Sequence, residues 1–165
     1  MSTNLIGQEK EASEKIITSD LQLVVFKINN EEFGVNINDV KEIIRWTNLT
    51  QIPNAEPYIK GVINLRGSIV VINDLAMKLG LPPKQIDDET RILVVDIEGS
   101  TVGMIVDSAT EVLRLKKEQV RNAPEIISKN MNQNYVDGVG VLNEHRLLTL
   151  LNLSKVLGNA TYNQI

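Results

Sequence analysis

The chain of 165 residues has no cysteine, which removes disulfides, thiolate metal sites and cysteine nucleophiles together. It has one histidine, and aromatic residues amount to only 4%, a poor supply for stacking nucleic-acid bases. Positive charge is not in excess. Seventeen Lys and Arg against 21 Asp and Glu leave a net charge of -4, so no overall field draws the chain to phosphate backbones. No apolar run approaches the roughly 18 residues of a membrane span. The first twenty residues hold Glu9, Lys10, Glu11, Glu14 and Lys15 where a signal segment would be apolar. These absences predict a soluble cytoplasmic protein. Neither a glycine-rich loop followed by lysine nor GxGxxG nor GxSxG occurs, so nucleotide cradling and the hydrolase elbow have no support.

Residues that could still carry chemistry each have a plainer reading. His145 sits in "NEHRL", a polar turn between strand-like runs, with no patterned nucleophile or metal partner. Asp87, Asp88 and Glu89 lack the alternating spacing and turn glycine of a calcium loop and read as a solvated linker. Asp74 and Asp107 each follow an apolar run and could face each other in a cleft, but helix capping accounts for both. Arg114, Lys116, Lys117 and Arg121 could track a phosphate backbone, yet no aromatic residue is interleaved with them. The expectation is a protein without catalysis, cofactor or metal. The alternative is a small β-barrel that binds nucleic acid through the Arg114 to Arg121 segment.

What the chain does contain is β-forming. Its 42% hydrophobic content allows one core or two small adjoining ones. Residues 1–20 are polar and read as a loose arm. "LQLVVFKI" and "EEFGVNI" flank Asn29-Asn30 and predict a hairpin. A short helix is predicted next, capped by Asn38, with Val40, Ile43 and Ile44 on one face. After "LTQIPNAEP", a loop by its prolines, Gly61 and Gly67 punctuate the runs "VINL" and "SIVVI", a second hairpin. "NDLAMKLG" predicts a short helix ended by Gly80 and Pro82-Pro83, ahead of an acidic linker.

The chain then starts again. "KINNEEFGVNINDVKEIIRW" (Lys27 to Trp46) lies over "DIEGSTVGMIVDSATEVLRL" (Asp96 to Leu115) without a gap, pairing Gly34 with Gly103, Ile43 with Val112 and Arg45 with Arg114. Ser108 and Glu111 have capping-box spacing and predict a helix in the second copy too. "IPNAEP" then matches "VRNAPE", "YIKGV" matches "YVDGV", and "NDLAMKLG" matches "LNLSKVLG". Four blocks recurring in one order indicate duplication, with units at about residues 22–80 and 91–158 and a tail at 159–165. Where the first copy has "NLRGSI" the second has "VLNEHRL", so Arg66 and Gly67 lack a clear counterpart. A residue found in one copy only is the better candidate for a specialised task. Two small units cannot hide every aliphatic side chain, so apolar residues should lie in patches or in the crease between units, where an amphipathic helix could dock.

Together, "LVVFKINNEEFGVNINDVKEII", "IPNAEPYIKGVINLRGSIVVINDL" and "RILVVDIEGSTVGMIVDSATEVL" resemble the CheW family of chemotaxis coupling proteins, over about Leu21 to Gly158. The resemblance implies a mainly β fold: two intertwined five-stranded SH3-like barrels related by internal duplication, with short helices, acting as a scaffold. It implies two partners. One is the regulatory domain of the histidine kinase CheA; the other is the cytoplasmic tip of methyl-accepting chemotaxis receptors, whose helices dock in a groove between the barrels. The free protein would be a cytoplasmic monomer recruited to membrane-associated receptor arrays.

By matching motif, the resemblance makes Val40, Gly61, Arg66, Arg91 and Gly103 receptor-facing. It makes Glu42 and Ile44 kinase-facing, with Arg121 and Ile126 at a second contact that closes CheA–CheW rings. The sequence departs from the family pattern at position 126, often aromatic and Ile here, and at position 91, often aliphatic and Arg here. The common "VVPVIDL" reads "IVVINDL". Arg66 has two readings: a guanidinium that ties together carbonyls at a strand turn, or a residue that shapes or lines the receptor groove. Gly61 and Gly103 have partners in the other copy, Gly138 and Gly34, so fold need alone could explain them. A bare backbone would also let a helix approach closely.

Overall fold

The runs rich in Val, Ile and Phe form strands, because their branched side chains fit a pleated surface buried on one or both faces. The structure, a computed structural model, describes residues 19–122 and 133–158. Most of the arm, the tail and Ile126 lie outside the described residues. The strands are β1 (Leu21–Ile28), β2 (Glu31–Asn36), β3 (Val40–Arg45), β4 (Ile59–Leu65), β5 (Ser68–Asp74), β6 (Arg91–Ile97), β7 (Ser100–Val106), β8 (Ser108–Leu115), β9 (Val120–Arg121), β10 (Val136–Asn143) and β11 (Arg146–Leu151). Helices α1 (Leu75–Leu79) and α2 (Leu153–Leu157) follow β5 and β11.

Three hairpins turn through two left-handed residues each: Asn29 and Asn30 (φ 54° and 65°), Arg66 and Gly67 (52° and 89°), and Glu98 and Gly99 (51° and 81°). This geometry matches the twist of antiparallel strands. Helix α1 is capped by Asp74, whose side chain accepts from the Met77 amide, and it ends at Gly80 in a left-handed conformation (φ 74°). In the second copy Asn152 caps α2 in the same way, accepting from the Lys155 amide.

The two sheets run β8-β1-β2-β11-β10-β9 and β3-β6-β7-β5-β4. Each therefore mixes the two copies. The first hairpin of the first copy, β1-β2, joins the strands of the second copy, and β6-β7 joins those of the first. The incoming hairpins attach through antiparallel β1-β8 and β3-β6 pairs and through parallel β2-β11 and β5-β7 pairs. The sheet that holds β9 has six strands, one more than the five expected, because this two-residue segment pairs with β10.

Strand periodicity divides the core. On β1, Leu23 and Val25 face the interior of their own sheet with Leu115, Leu148 and Leu150. Their repeat mates Ile92 and Val94 on β6 do the same with Ile63, Val70 and Ile72. The alternate residues Val24, Phe26 and Ile28, with mates Leu93, Val95 and Ile97, point into a larger core between the sheets. Leu75 and Leu79 of α1 and Leu153 and Leu157 of α2 also enter that core. The aliphatic crease expected between the units is thus largely filled by the chain itself.

Two sequence expectations fail at matching places. Residues 40–45 form strand β3, and residues 108–115 form strand β8. The apolar spacing at Val40 and Ile44 fits a helix and a strand equally. The open edges of β6 and β1 offer backbone partners to a strand, and that decides the outcome. Only a 3₁₀ turn, Ile37–Asp39, precedes β3, and its cap is Asn36, not Asn38. Ile43, opposite Leu93, is exposed and points away from half-buried Ile44, which packs with Ile92, while a bulge after Val40 leaves half-buried Val40 on the face of Ile43, against the core between the sheets. Asp107 caps no helix either; its carboxylate accepts the Asn29 amide at 2.8 Å and ties the first hairpin turn to the end of β7.

Candidate functional site

Most of the candidate residues fall on one sheet: Val40, Glu42 and Ile44 on β3, Gly61 on β4, Arg66 in the β4–β5 turn, Arg91 on β6 and Gly103 on β7. Arg121 lies on β9 of the other sheet. Ile126 is outside the described residues.

Arg66 is held in a left-handed turn and reaches back to Glu42, its Nη1 donating to Oε2 at 2.6 Å. β3 and β4 are the two ends of their sheet's strand order, so this ion pair spans the seam where the sheet curls closed. The Arg66 side chain is 73% exposed and that of Glu42 22%. The hydrogen bond to Glu42 and its negative charge hold the Arg66 guanidinium above its ordinary pKa. The second carboxylate oxygen of Glu42 is buried without a hydrogen-bond partner. The reading of Arg66 as a partly buried tie between carbonyls fails, since its side chain is exposed and its bond is to a carboxylate. The Gly67 amide of the same turn is satisfied by Asn64 Oδ1 at 2.8 Å.

The second copy has a counterpart that sequence alignment missed. Glu111 is the repeat mate of Glu42, and it accepts from Arg146 Nη2 at 3.0 Å. Arg146 enters from the start of β11, just after the hairpin turn, and also grips Glu32 through Nε and Nη2 at 2.8 and 2.9 Å. That hydrogen bond, outweighing burial, lowers the Glu32 pKa, and the two glutamates raise that of Arg146. One unit is therefore clamped by a three-residue cluster, whereas the other is joined by a single exposed contact. The conserved spacing of Glu42 and Glu111 in the repeat was the available signal.

Both candidate glycines are buried and face the chain's own atoms. A Cβ on Gly103 would lie 2.3 Å from Ile72 Cδ1, and one on Gly34 would lie 3.0 Å from Leu148 Cδ2. Each glycine sits where a parallel strand crosses close by. Gly61 has φ +150° and would place a Cβ 2.5 Å from the Thr50 carbonyl oxygen; its mate Gly138 would meet the Arg121 carbonyl at 2.8 Å.

Arg91 and Arg121 each turn Nη1 onto nearby backbone, Arg91 onto the carbonyls of Asp88 and Thr90, and Arg121 onto those of Glu118 and Val120. The basic segment Arg114 to Arg121 is broken across β8, a 3₁₀ turn and β9. His145 is exposed in the β10–β11 turn, where its amide donates to Asn143 Oδ1 at 2.8 Å. An open cavity of about 180 Å³ lies beside Leu21, Gly34, Asn36, Asp39 and Asp137, and no candidate residue lines it.

The family model of the CheW-like domain matches residues 22–161. The chain belongs to the CheW-like family. It is 37% identical over 136 residues to "Chemotaxis protein CheW" of Bacillus subtilis, a match covering 82% of this chain and 86% of that protein. It is 38% identical over 138 residues to the protein of the same name from Klebsiella aerogenes, covering 84% and 82%. Among solved structures, the scaffolding protein TtCheW from Thermoanaerobacter tengcongensis superposes with a TM-score of 0.76 at 27% identity, covering 84% of this chain and 93% of that one. Family membership accounts for the paired barrels and for a role in chemotaxis, and none of these relatives supports the nucleic-acid alternative.

Proposed function

We propose that the chain is a non-catalytic chemotaxis scaffold that couples methyl-accepting chemoreceptors to the histidine kinase CheA. The observation that carries this reading is the CheW-like match over residues 22–161, joined to a structural neighbour that is itself a scaffolding protein. Among the described residues no helix is long and apolar enough to cross a membrane, so in this reading partners bring the chain to membrane-bound arrays.

The finer assignments rest on placement. Glu42 and Ile44 face the kinase in this reading, Arg66 and Arg91 face the receptor, and Arg121 and Ile126 belong to a second kinase contact. Val40, Gly61 and Gly103 act on the receptor side indirectly, by setting strand positions. Glu42 and Arg66 are bonded to each other, so a partner that takes one releases the other. That is a physical route for coupling free energy between two sites.

Calorimetric titration with the isolated CheA regulatory domain from the same cell tests the reading. Saturable one-to-one binding by wild type, lost in a folded Glu42→Arg variant, is the expected result. Absence of binding to both the kinase domain and receptor fragments at tens of micromolar would overturn it.

A further inference from the structure

Arg66 and Gly67 form the β4–β5 turn, and both are left-handed. Glycine adopts that backbone freely, whereas the Cβ of arginine crowds it, and a strained residue persists only where its surroundings hold it. Among the described residues five others than glycine have positive φ, and three of them are asparagine, which tolerates the conformation well. Arg66 has no such tolerance. The ladder closes with Leu65 opposite Ser68, and between them the Gly67 amide donates to Asn64 Oδ1 at 2.8 Å. Asn64 lies exposed on β4, opposite Ile69. Asparagine is a poor strand former, because its side chain competes for backbone hydrogen bonds. Two locally unfavourable residues thus stand two positions apart, and the side chain of one fixes the turn that contains the other.

The duplicated half supplies an internal control. There the repeat sets Val141 in the place of Asn64, and Leu147, opposite Val141, in the place of Ile69. That hairpin turns through Glu144 and His145, between Asn143 and Arg146, with no left-handed residue. A hairpin of this fold therefore needs neither an asparagine at that strand position nor a left-handed arginine. The arginines differ too. Arg146 sits on the strand after its turn and is gripped by both Glu32 and Glu111, whereas Arg66 sits in the turn itself and meets Glu42 alone. With a single carboxylate to hold it, the Arg66 guanidinium depends on its backbone being fixed.

We propose that Asn64 is a positioning residue for Arg66. By holding the Gly67 amide it keeps the turn left-handed, and so keeps the guanidinium at Glu42, where coupling between the receptor and kinase contacts requires it. Asn64 acts only through Arg66. The inference rests on the scaffold reading and deepens it, by assigning a residue that sets how readily the Arg66–Glu42 bond forms and breaks.

The test uses the full chain in four variants: Asn64→Val, which installs the residue of the second half; Asn64→Asp, which keeps an oxygen acceptor; Arg66→Ala; and Asn64→Val combined with Arg66→Ala. Valine favours a strand, so Asn64→Val should melt no more than about 2 °C below wild type. In a reconstituted assay of receptor-controlled kinase activity it should nevertheless lower coupling several-fold, as Arg66→Ala does, while Asn64→Asp stays near wild type. The combined variant should lose no more than Arg66→Ala alone, because two residues that act through one contact are not additive. NMR relaxation of Arg66 Nε should show an ordered side chain in wild type and a mobile one in Asn64→Val.

If wild type couples and Asn64→Val couples equally well, or if the losses of Asn64→Val and Arg66→Ala add in the combined variant, the positioning role is wrong and the scaffold reading stands. If wild type binds neither a receptor fragment nor the kinase domain, the scaffold reading fails and takes this inference with it.

Discussion

Replacing Gly61 by alanine tests whether this glycine serves the fold before it serves any partner. The new Cβ would lie 2.5 Å from the Thr50 carbonyl oxygen, 3.0 Å from Leu49 Cβ and 3.1 Å from the Thr50 carbonyl carbon, at φ +150°. A backbone conformation that favours glycine costs about 1–3 kcal/mol for another residue. Thr50 must also retreat, which breaks its reciprocal hydrogen bonds with Val62 at 3.0 and 2.8 Å, about 1 kcal/mol each. Gly61→Ala should therefore destabilise by roughly 3–5 kcal/mol. In a chain of this size that lowers Tm by on the order of 10 °C. Gly67→Ala is the control, since φ there is +89° but nothing lies within 4 Å of the added carbon. It carries strain alone, so its Tm should fall by only a few degrees. Thermal unfolding followed by circular dichroism reads both. A Gly61→Ala protein melting within about 2 °C of wild type, or below Gly67→Ala in damage, would refute the steric argument.

Further outcomes follow from other contacts. Phe26 is fully buried and stacks on Phe33 with ring centroids 5.8 Å apart; Phe26→Ala should cost about 3–5 kcal/mol in denaturant titration, because it empties the core shared by both sheets. Glu32 has a lowered pKa because Arg146 binds its charged form. Its contribution is present in full above the unfolded carboxylate value of about 4.3 and fades as pH falls through the lower folded value. Glu32→Gln should flatten that acid limb of the stability-pH curve. Arg66→Ala removes an exposed ion pair and should leave Tm within about 2 °C of wild type. In a reconstituted receptor–kinase assay, the same variant should lower coupling.

Local chemistry was legible in the sequence where the structure is local. Asn29-Asn30, Gly67 and Gly80 mark turns because left-handed backbone restricts which residues can serve, and Asp74 caps α1 as its position suggests. Residues 40–45 and 108–115 are strands despite a helix-like pattern, because six to eight residues with apolar side chains four apart satisfy two periods at once. Only the neighbouring edge strand discriminates between them. The repeat showed that two units exist, and the family resemblance that they intertwine. Hairpin alternation would read the same whichever half it joined. At the candidate site, the motif supplied Glu42 and Arg66 separately, for different partners. That they bond each other depends on curvature of a sheet whose end strands are far apart in the hydrogen-bonding order.

Exchange of hairpins between the halves also constrains how the chain can be made. The first strands to leave the ribosome, β1 and β2, pair with each other but find their outer partners in β8 and β11, about 80 and more than 110 residues further on. The sheet whose last strand in the sequence is β7 can close once Val106 has emerged, but the other waits for β11 near the end of synthesis, so the nascent chain must carry unpaired strand edges for much of its elongation. Pairings this distant also slow the search for the native state. A cut in the acidic linker would release two pieces, each lacking two strands of its sheet and each holding the pair the other needs. Mixed together, such pieces should reassemble; apart, each should fail to fold.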